Sequence, residues 1–314
     1  MVDRRVLVIA GPTASGKSSL ALDLARNGRG VVINADSVQL HYGMPVLSAQ
    51  PSVWDRKVAT HRLYGIFSPY ENANLFKWLV LVLEEIRKAL ELEKLAIVVG
   101  GTGLYLSRLL DGLRPDLPES SPDIRNELNT LYDNIGWDRF LEIVRKVDPE
   151  GAAKTSPHNR QRLLRVYEVY RMSGKKIGEL EQQPNRPILN RGEVFLINVL
   201  PPREMLYARC DLRFRSIANR TLEEVRCFLE KYPSPSDYSA STERTIGFRE
   251  IRNYFQGKLK YEEMIELVLK NTRNFAKRQY TWFRNQFATV DYTLKDILDE
   301  ESRKSIADDI IGRL

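Results

Sequence analysis

The amino-acid sequence predicts an α/β protein, with a parallel-sheet core, a helical domain inserted into it and a helical C-terminal part. Three observations carry this expectation. Short apolar runs alternate with helical stretches over the first third of the chain, a proline-dense segment interrupts them, and an apolar run returns near residue 194. The 314 residues suffice for about two domains. With 43% hydrophobic and 28% charged residues the chain can bury a sizeable core, which excludes a disordered chain, a collagen and a coiled-coil rod.

Each element has its own signal. Arg5 to Ala10 is an apolar run closed by Gly11-Pro12, the pattern of a buried parallel strand. Between Gly16 and Asn27, Leu20, Leu22 and Leu24 mix with alanines at helix-compatible spacing, and Gly28-Arg29-Gly30 ends the helix. Val31 to Ile33 is a second strand, Leu75 to Leu92 a helix, and Leu95 to Val99 a third strand. The segment Leu113 to Pro122 carries three prolines and marks a boundary. Helical stretches follow at Ile124 to Tyr132, Trp137 to Arg145 and Asn159 to Met172. Residues 117–190 are therefore expected to form the insert, and residues 1–116 with 191–314 the core. Gly192 to Val199 reads as a return to the sheet; from Arg203 the chain is mostly helical, broken at Tyr232 to Ser236.

The net charge is +7, from 48 Lys and Arg against 41 Asp and Glu. The most apolar stretch, Leu75 to Leu83, contains Lys77 and is far shorter than the roughly 18 apolar residues of a membrane span. The N-terminal apolar run is too short for a signal peptide, so a soluble, cytoplasmic protein is expected. Cys210 and Cys227 have no metal-ligand spacing and read as packed thiols in a reducing compartment. With no self-association element, a monomer is the default.

The chemistry-bearing residues begin with Gly11-Pro12-Thr13-Ala14-Ser15-Gly16-Lys17-Ser18, which matches the P-loop between a strand and a helix. Glycines let backbone N–H groups converge on an anion at a helix N-terminus, Lys17 adds a full positive charge, and Ser18 can ligate Mg²⁺. The core is thus of the P-loop kind and holds a polyphosphate. After the third strand stands Gly100-Gly101-Thr102-Gly103, without the acidic residue many P-loop enzymes carry there. This turn suits close approach to a diphosphate, although Thr102 alone reads equally as a helix cap. Asp36 and Ser37 sit past the second strand, at the sheet edge where open α/β folds place their sites; alone, Asp36 is a cap or a catalytic group.

Two basic stretches follow. Between Glu266 and Asp291 there is no acid, yet Lys270, Arg273, Lys277, Arg278 and Arg284 are all basic. On a helix, Ala276, Tyr280, Phe283 and Phe287 share a packing face beside the positive one. Arg160, Arg162, Arg165 and Arg171 repeat the pattern against a single acid, Glu168. Each is either a solvated face or a surface for a phosphate-rich macromolecule; two of them beside a P-loop favour the latter.

Gly11 to Ser18, Asp36-Ser37-Val38-Gln39, Val99 to Tyr105, Ile246 to Glu250 and the run from Thr272 through Arg284 occur in the order found in the tRNA isopentenyltransferases, the tRNA dimethylallyltransferase family, which the chain resembles from about residue 5 to residue 290. The resemblance implies transfer of a dimethylallyl group from dimethylallyl diphosphate to N6 of adenosine 37, beside the anticodon, in tRNAs reading codons that begin with U. ATP takes no part. It further implies that Asp36 is the general base, and that Lys17, Thr102 and Arg213 contact the diphosphate together with Gly11, Pro12, Thr13, Ala14, Ser15, Gly16, Ser18 and Ser19. Mg²⁺ would sit on Ser18. Contacts to the tRNA anticodon stem-loop are implied for Asp36, Ser37, Val38 and Gln39, for Asn159, Arg160, Gln161, Arg162 and Leu163, for Gly247, Phe248 and Arg249, and for Arg273, Lys277, Arg278 and Gln279. The chain departs from the family pattern at His41, at Gln50, where a lysine is usual, and at Thr60-His61-Arg62, where Pro-His-His is usual.

Two other readings use the same residues. A P-loop nucleoside or nucleotide kinase would take the Arg160 to Arg171 stretch as a lid, and leaves the basic C-terminal helix unexplained. A non-catalytic RNA-binding protein leaves Asp36 and Thr102 unused.

Overall fold

The computed structural model describes residues 5–112, 118, 121–155, 159–181, 188–287, 289–295 and 299–314. It contains two compact units, Met1–Leu110 with Leu189–Leu314, and Asp111–Ile188. Most of the proline-dense boundary segment lies outside the described residues.

The chain runs through β1 (Val6–Ala10), α1 (Lys17–Ala25), β2 (Gly30–Asn34), α2 (Val53–Val58), β3 (Thr60–Arg62), α3 (Leu75–Glu91), β4 (Leu95–Gly100) and α4 (Gly103–Asp111). Four helices follow: α5 (Pro122–Val147), α6 (Pro149–Ala153), α7 (Arg160–Ser173) and α8 (Ile177–Glu181). The last part comprises β5 (Val194–Val199), α9 (Arg203–Lys231), α10 (Ala240–Glu243), α11 (Phe248–Phe255), α12 (Tyr261–Gln286), β6 (Tyr292–Leu294) and α13 (Glu300–Arg313).

The six strands form one parallel sheet in the order β3-β2-β4-β1-β5-β6. All five residues of β1 are apolar and buried, as a strand covered on both faces must be. Val6 stands opposite Ala96 on one side and Val194 on the other, so the late strand joins the sheet directly beside the first. Leu7, Ile9, Ile97 and Ile197 pack with Leu20 and Leu24 of α1 and Ile310 of α13. The two edge strands, β3 and β6, are additions to the sequence reading; each is three residues long, too short to carry a pattern of its own.

A second core in the same unit joins α9, α11 and α12 through Phe228, Phe248, Met264 and Val268. The other unit packs around Leu128, Phe140, Val144, Leu163 and Leu164. Its first helix carries a non-helical residue, Gly136 at φ 75°, between the two helical stretches read from the sequence. Both cysteines are free: Cys210 is buried as expected, whereas Cys227 is exposed, because it falls on the solvent side of α9 near Glu223. No helix among the described residues is long and apolar enough to cross a membrane.

Candidate active site

Three turns leave the carboxyl ends of the neighbouring strands β2, β4 and β1, and each carries one of the sequence motifs. The loop after β1 begins at Gly11, where a Cβ would lie 2.5 Å from the Val199 carbonyl oxygen. Only glycine fits so close to β5. Ala14 at φ 61° and Gly16 at φ 91° adopt left-handed conformations, the alternation that gathers N–H groups into an anion-binding concavity at the head of α1. Lys17 is the first residue of α1, and its Nζ donates to the Pro12 carbonyl at 3.1 Å. Burial brings its pKa down to about 8; Asp36 opposes that shift, and Arg213 adds to it. The Ser15 hydroxyl is buried without a protein partner.

Asp36 follows β2. Fully buried Asn34 holds it: the Asp36 N–H donates to Asn34 Oδ1 at 2.8 Å, while Asn34 Nδ2 donates to the carbonyls of Asp36 and Leu63, both at 3.0 Å. The Asn34 carbonyl in turn accepts from the indole of Trp78, itself stacked on Tyr105. Asp36 Oδ1 accepts from the Val38 N–H at 3.0 Å. One carboxylate oxygen thus does the work of a cap, and the other, Oδ2, would lie 3.6 Å from a Cβ at Gly101. The β4 turn meets the β2 turn closely: a Cβ at Gly100 would fall 2.1 Å from the Ala35 carbonyl oxygen, and the Thr102 hydroxyl accepts from the Ser37 N–H at 3.0 Å.

These turns line a cavity of about 940 Å³ that also receives Arg213 from α9, Arg278 from α12 and Arg244 beside α10. Burial lowers the Arg213 pKa. The cavity is thus rich in cations; Leu47, Phe214, Ile217, Phe275 and Trp282 supply apolar wall. The segment bearing Leu47 is fastened by Glu224 of α9, whose carboxylate accepts from the N–H groups of Val46 and Leu47 at 2.7 and 2.8 Å. Gln39 Nε2 donates to the carbonyls of Ser48 and Ala49. The departure at Gln50 has a structural use, since its Nε2 donates to the His41 carbonyl at 2.8 Å. His41 itself is buried, which lowers its pKa, and its Nε2 bonds the Glu71 carbonyl.

The cavity gathers Thr13 to Ser19, Asp36 to Gln39, Thr102, Arg213, Arg278 and Gln279 from the residues singled out in the sequence. Gly11 and Pro12 lie behind it as the base of the loop. Several expected RNA contacts are buried instead. Leu163 and Phe248 are fully enclosed in their cores, Gly247 is buried at φ 98° against Leu47, and Gln279 is 7% exposed. Their helices turn these positions inward. Arg249, Lys277 and Arg278 are exposed, whereas Arg273 is paired with Asp211 at 2.6 Å. In the helical unit, Asn159 caps α7, Arg160 pairs with Asp133, Arg165 with Glu168 and Arg171 with Glu127, leaving Gln161 and Arg162 exposed. The single-acid count along α7 overstated its charge, because Asp133 and Glu127 come from α5. Arg244, Asn34 and Glu224 escaped the sequence reading; Arg244 stands two residues before Ile246-Gly247 and Asn34 two before Asp36-Ser37, whereas Glu224 adjoins no recognised motif.

No group of three or more His, Cys, Asp or Glu side chains that could hold a metal ion occurs among the described residues. Asp36 is the one carboxylate among the described residues that line the cavity, and the exposed Ser18 hydroxyl is one of several hydroxyls beside it. So sparse a carboxylate set fits Mg²⁺, which takes one or two protein ligands and completes its octahedron with phosphate oxygens and water.

A family model described as IPP transferase matches residues 39–286. The chain belongs to the IPP transferase family. Among curated members, a tRNA dimethylallyltransferase of Rhodospirillum centenum is 42% identical over 91% of this chain and 90% of its own length. One of Zymomonas mobilis is 36% identical over 96% and 94%. Among solved structures, a eukaryotic dimethylallyltransferase acting on tRNA superposes with a TM-score of 0.79 at 25% identity, covering 98% of this chain and 79% of the other. The full-length tRNA isopentenylpyrophosphate transferase of Bacillus halodurans gives 0.67 at 27% identity, covering 99% and 96%. Family membership makes this chain a transferase.

Proposed function

We propose that this IPP transferase moves the dimethylallyl group of dimethylallyl diphosphate to N6 of adenosine 37 in tRNAs reading codons that begin with U, giving N6-isopentenyladenosine and diphosphate. The observation that carries the reading is a single cavity in which a carboxylate, Asp36, faces the same space as Lys17, Arg213, Arg244 and Arg278, next to an apolar wall.

An exocyclic adenine amine is a weak nucleophile, because its lone pair is delocalised into the ring. As N6 bonds to C1 of the dimethylallyl group, the C1–O bond breaks and its electron pair leaves with the diphosphate. The N6 proton passes to Asp36, whose geometry is set by Asn34 and the Val38 N–H. Lys17, Arg213 and the loop N–H groups take the charge that develops on the leaving oxygen, with Thr102 beside them. Mg²⁺ held on Ser18 would neutralise part of that charge. The apolar wall suits the dimethylallyl group and excludes water from the reacting carbon. Adenosine 37 has to leave its stack to enter, at a cost of a few kcal/mol. Gln39, whose Nε2 is already engaged by the 48–49 backbone, offers Oε1 to the base edge. Exposed Arg249, Lys277, Arg278 and Arg284 supply phosphate contacts for the anticodon stem-loop; within the helical unit, Gln161 and Arg162 are exposed. Such a role belongs in the cytoplasm, where tRNA is.

The test is incubation of the purified chain with unmodified tRNA and labelled dimethylallyl diphosphate, followed by nucleoside mass spectrometry. Isopentenyladenosine at position 37 of U-codon tRNAs is expected. Phosphoryl transfer from ATP to a nucleoside, without prenylation, would replace this reading by the kinase.

A further inference from the structure

Gln279 sits on α12 between exposed Arg278 and half-buried Tyr280, yet its own side chain points into the protein. Its Oε1 accepts from the Thr13 N–H of the P-loop at 2.8 Å, and its Nε2 donates to the Gly101 carbonyl of the β4 turn at 2.8 Å. Both ends of the carboxamide are therefore used, one on each phosphate-facing turn. The chain is shaped to allow this: a Cβ at Gly101 would lie 2.4 Å from Gln279 Nε2, and one at Gly103 would lie 2.5 Å from the ring of Trp282, one turn further along α12. The first two glycines of the second turn thus serve different ends, Gly100 clearing Ala35 and Gly101 clearing Gln279.

We infer that Gln279 is a positioning residue for the diphosphate end of the cavity, clamping the P-loop to the β4 turn so that Lys17 and Thr102 keep one spacing. Only a group with an acceptor at one end and a donor at the other can bridge an N–H and a C=O, which a carboxamide does and neither a carboxylate nor a thioether does. Removing it leaves a part-buried N–H and a buried carbonyl unpaired, and the loop relieves that loss by moving. The Thr13 N–H is at the same time withheld from the ligand, so the diphosphate is left to the later N–H groups of the loop. The inference rests on the diphosphate reading of this cavity, and it removes Gln279 from the RNA-contacting set although its helix neighbours belong there.

The experiment compares wild type with Gln279→Met, which keeps side-chain length and loses both hydrogen bonds. Inorganic diphosphate binding is read by calorimetry, anticodon stem-loop binding by a filter assay, and backbone amide exchange by NMR. The variant is expected to weaken diphosphate binding at least tenfold and to change stem-loop affinity less than twofold. Exchange of the Thr13 amide, slow in wild type, is expected to accelerate while Leu7 and Ile9 in β1 keep their protection. Unchanged diphosphate affinity in a variant with protected β1 amides overturns the inference, and so does a loss confined to stem-loop affinity. Should the variant not fold, a Thr13 amide in wild type that exchanges as fast as an exposed loop amide overturns it equally. A wild type that binds no diphosphate, but protects Thr13, would instead refute the ligand assigned to the cavity.

Discussion

Diphosphate binding is expected to weaken as pH rises through the titration of Lys17. Burial places the pKa of this ammonium near 8 in the free protein, against an ordinary value of 10.5. A bound diphosphate puts negative charge beside the ammonium and raises its pKa, so binding takes up a proton at pH values between the free and bound pKa. The sign follows directly: the affinity is fully present below about 8 and is lost above it. From pH 7 to pH 9 the charged fraction of Lys17 in the free protein falls about tenfold, and the dissociation constant should rise by about that factor. The ligand does not oppose this trend, since a phosphate monoester loses its second proton near pH 6 and is already fully charged. The assay is calorimetric titration with dimethylallyl diphosphate at pH 7, 8 and 9, in two buffers of different ionisation enthalpy to count the proton taken up. Lys17→Met serves as reference and should bind weakly without this pH dependence. A wild-type affinity constant within twofold over the range, or the same pH dependence in the variant, would show that the loop does not rely on the Lys17 charge.

Other consequences are open to simpler measurements. Lys277→Gln and Arg284→Gln should each reduce the slope of log affinity against log salt for tRNA by about one, with diphosphate affinity unchanged; Arg273→Gln should alter the slope less, since Asp211 already balances that charge. Gly247→Ala forces a side chain onto φ 98° and against Leu47, whose Cδ1 would lie 2.7 Å away, and should cost about 1–3 kcal/mol in urea denaturation. Glu224→Gln replaces one of two acceptors with a donor facing a backbone N–H, so it should destabilise the protein by about 1–3 kcal/mol and raise the KM for dimethylallyl diphosphate through movement of Leu47.

The sequence made some parts of this molecule readable and hid others for physical reasons. The strands Val6–Ala10, Leu95–Gly100 and Val194–Val199 were legible because burial on both faces demands continuous apolar runs. The edge strands Thr60–Arg62 and Tyr292–Leu294 carry no such demand and were invisible. The P-loop and the Gly100 to Gly103 turn were found from local spacing, because each is a backbone device whose glycines are fixed by close approach. What local spacing cannot give is the partner across the fold. Asp211 beside Arg273, Asp133 beside Arg160 and the two turns gripped by Gln279 lie far away in sequence, so charged and polar side chains that looked available prove engaged.

The central claim is that Asp36 removes the N6 proton while the cations hold the diphosphate, and Asp36→Asn tests it most directly. Asparagine retains the Oδ1 that accepts from the Val38 N–H, so the turn and the cavity should persist; only the proton acceptor is lost. The measurement is the single-turnover rate of prenylation at saturating tRNA and dimethylallyl diphosphate. General-base contributions are typically about 10² to 10⁴ in rate, so a loss in that range is predicted, with affinity for both substrates changed far less. A loss below about threefold would contradict the account and leave Asp36 as a turn-capping residue, since Asn and Asp cap about equally well.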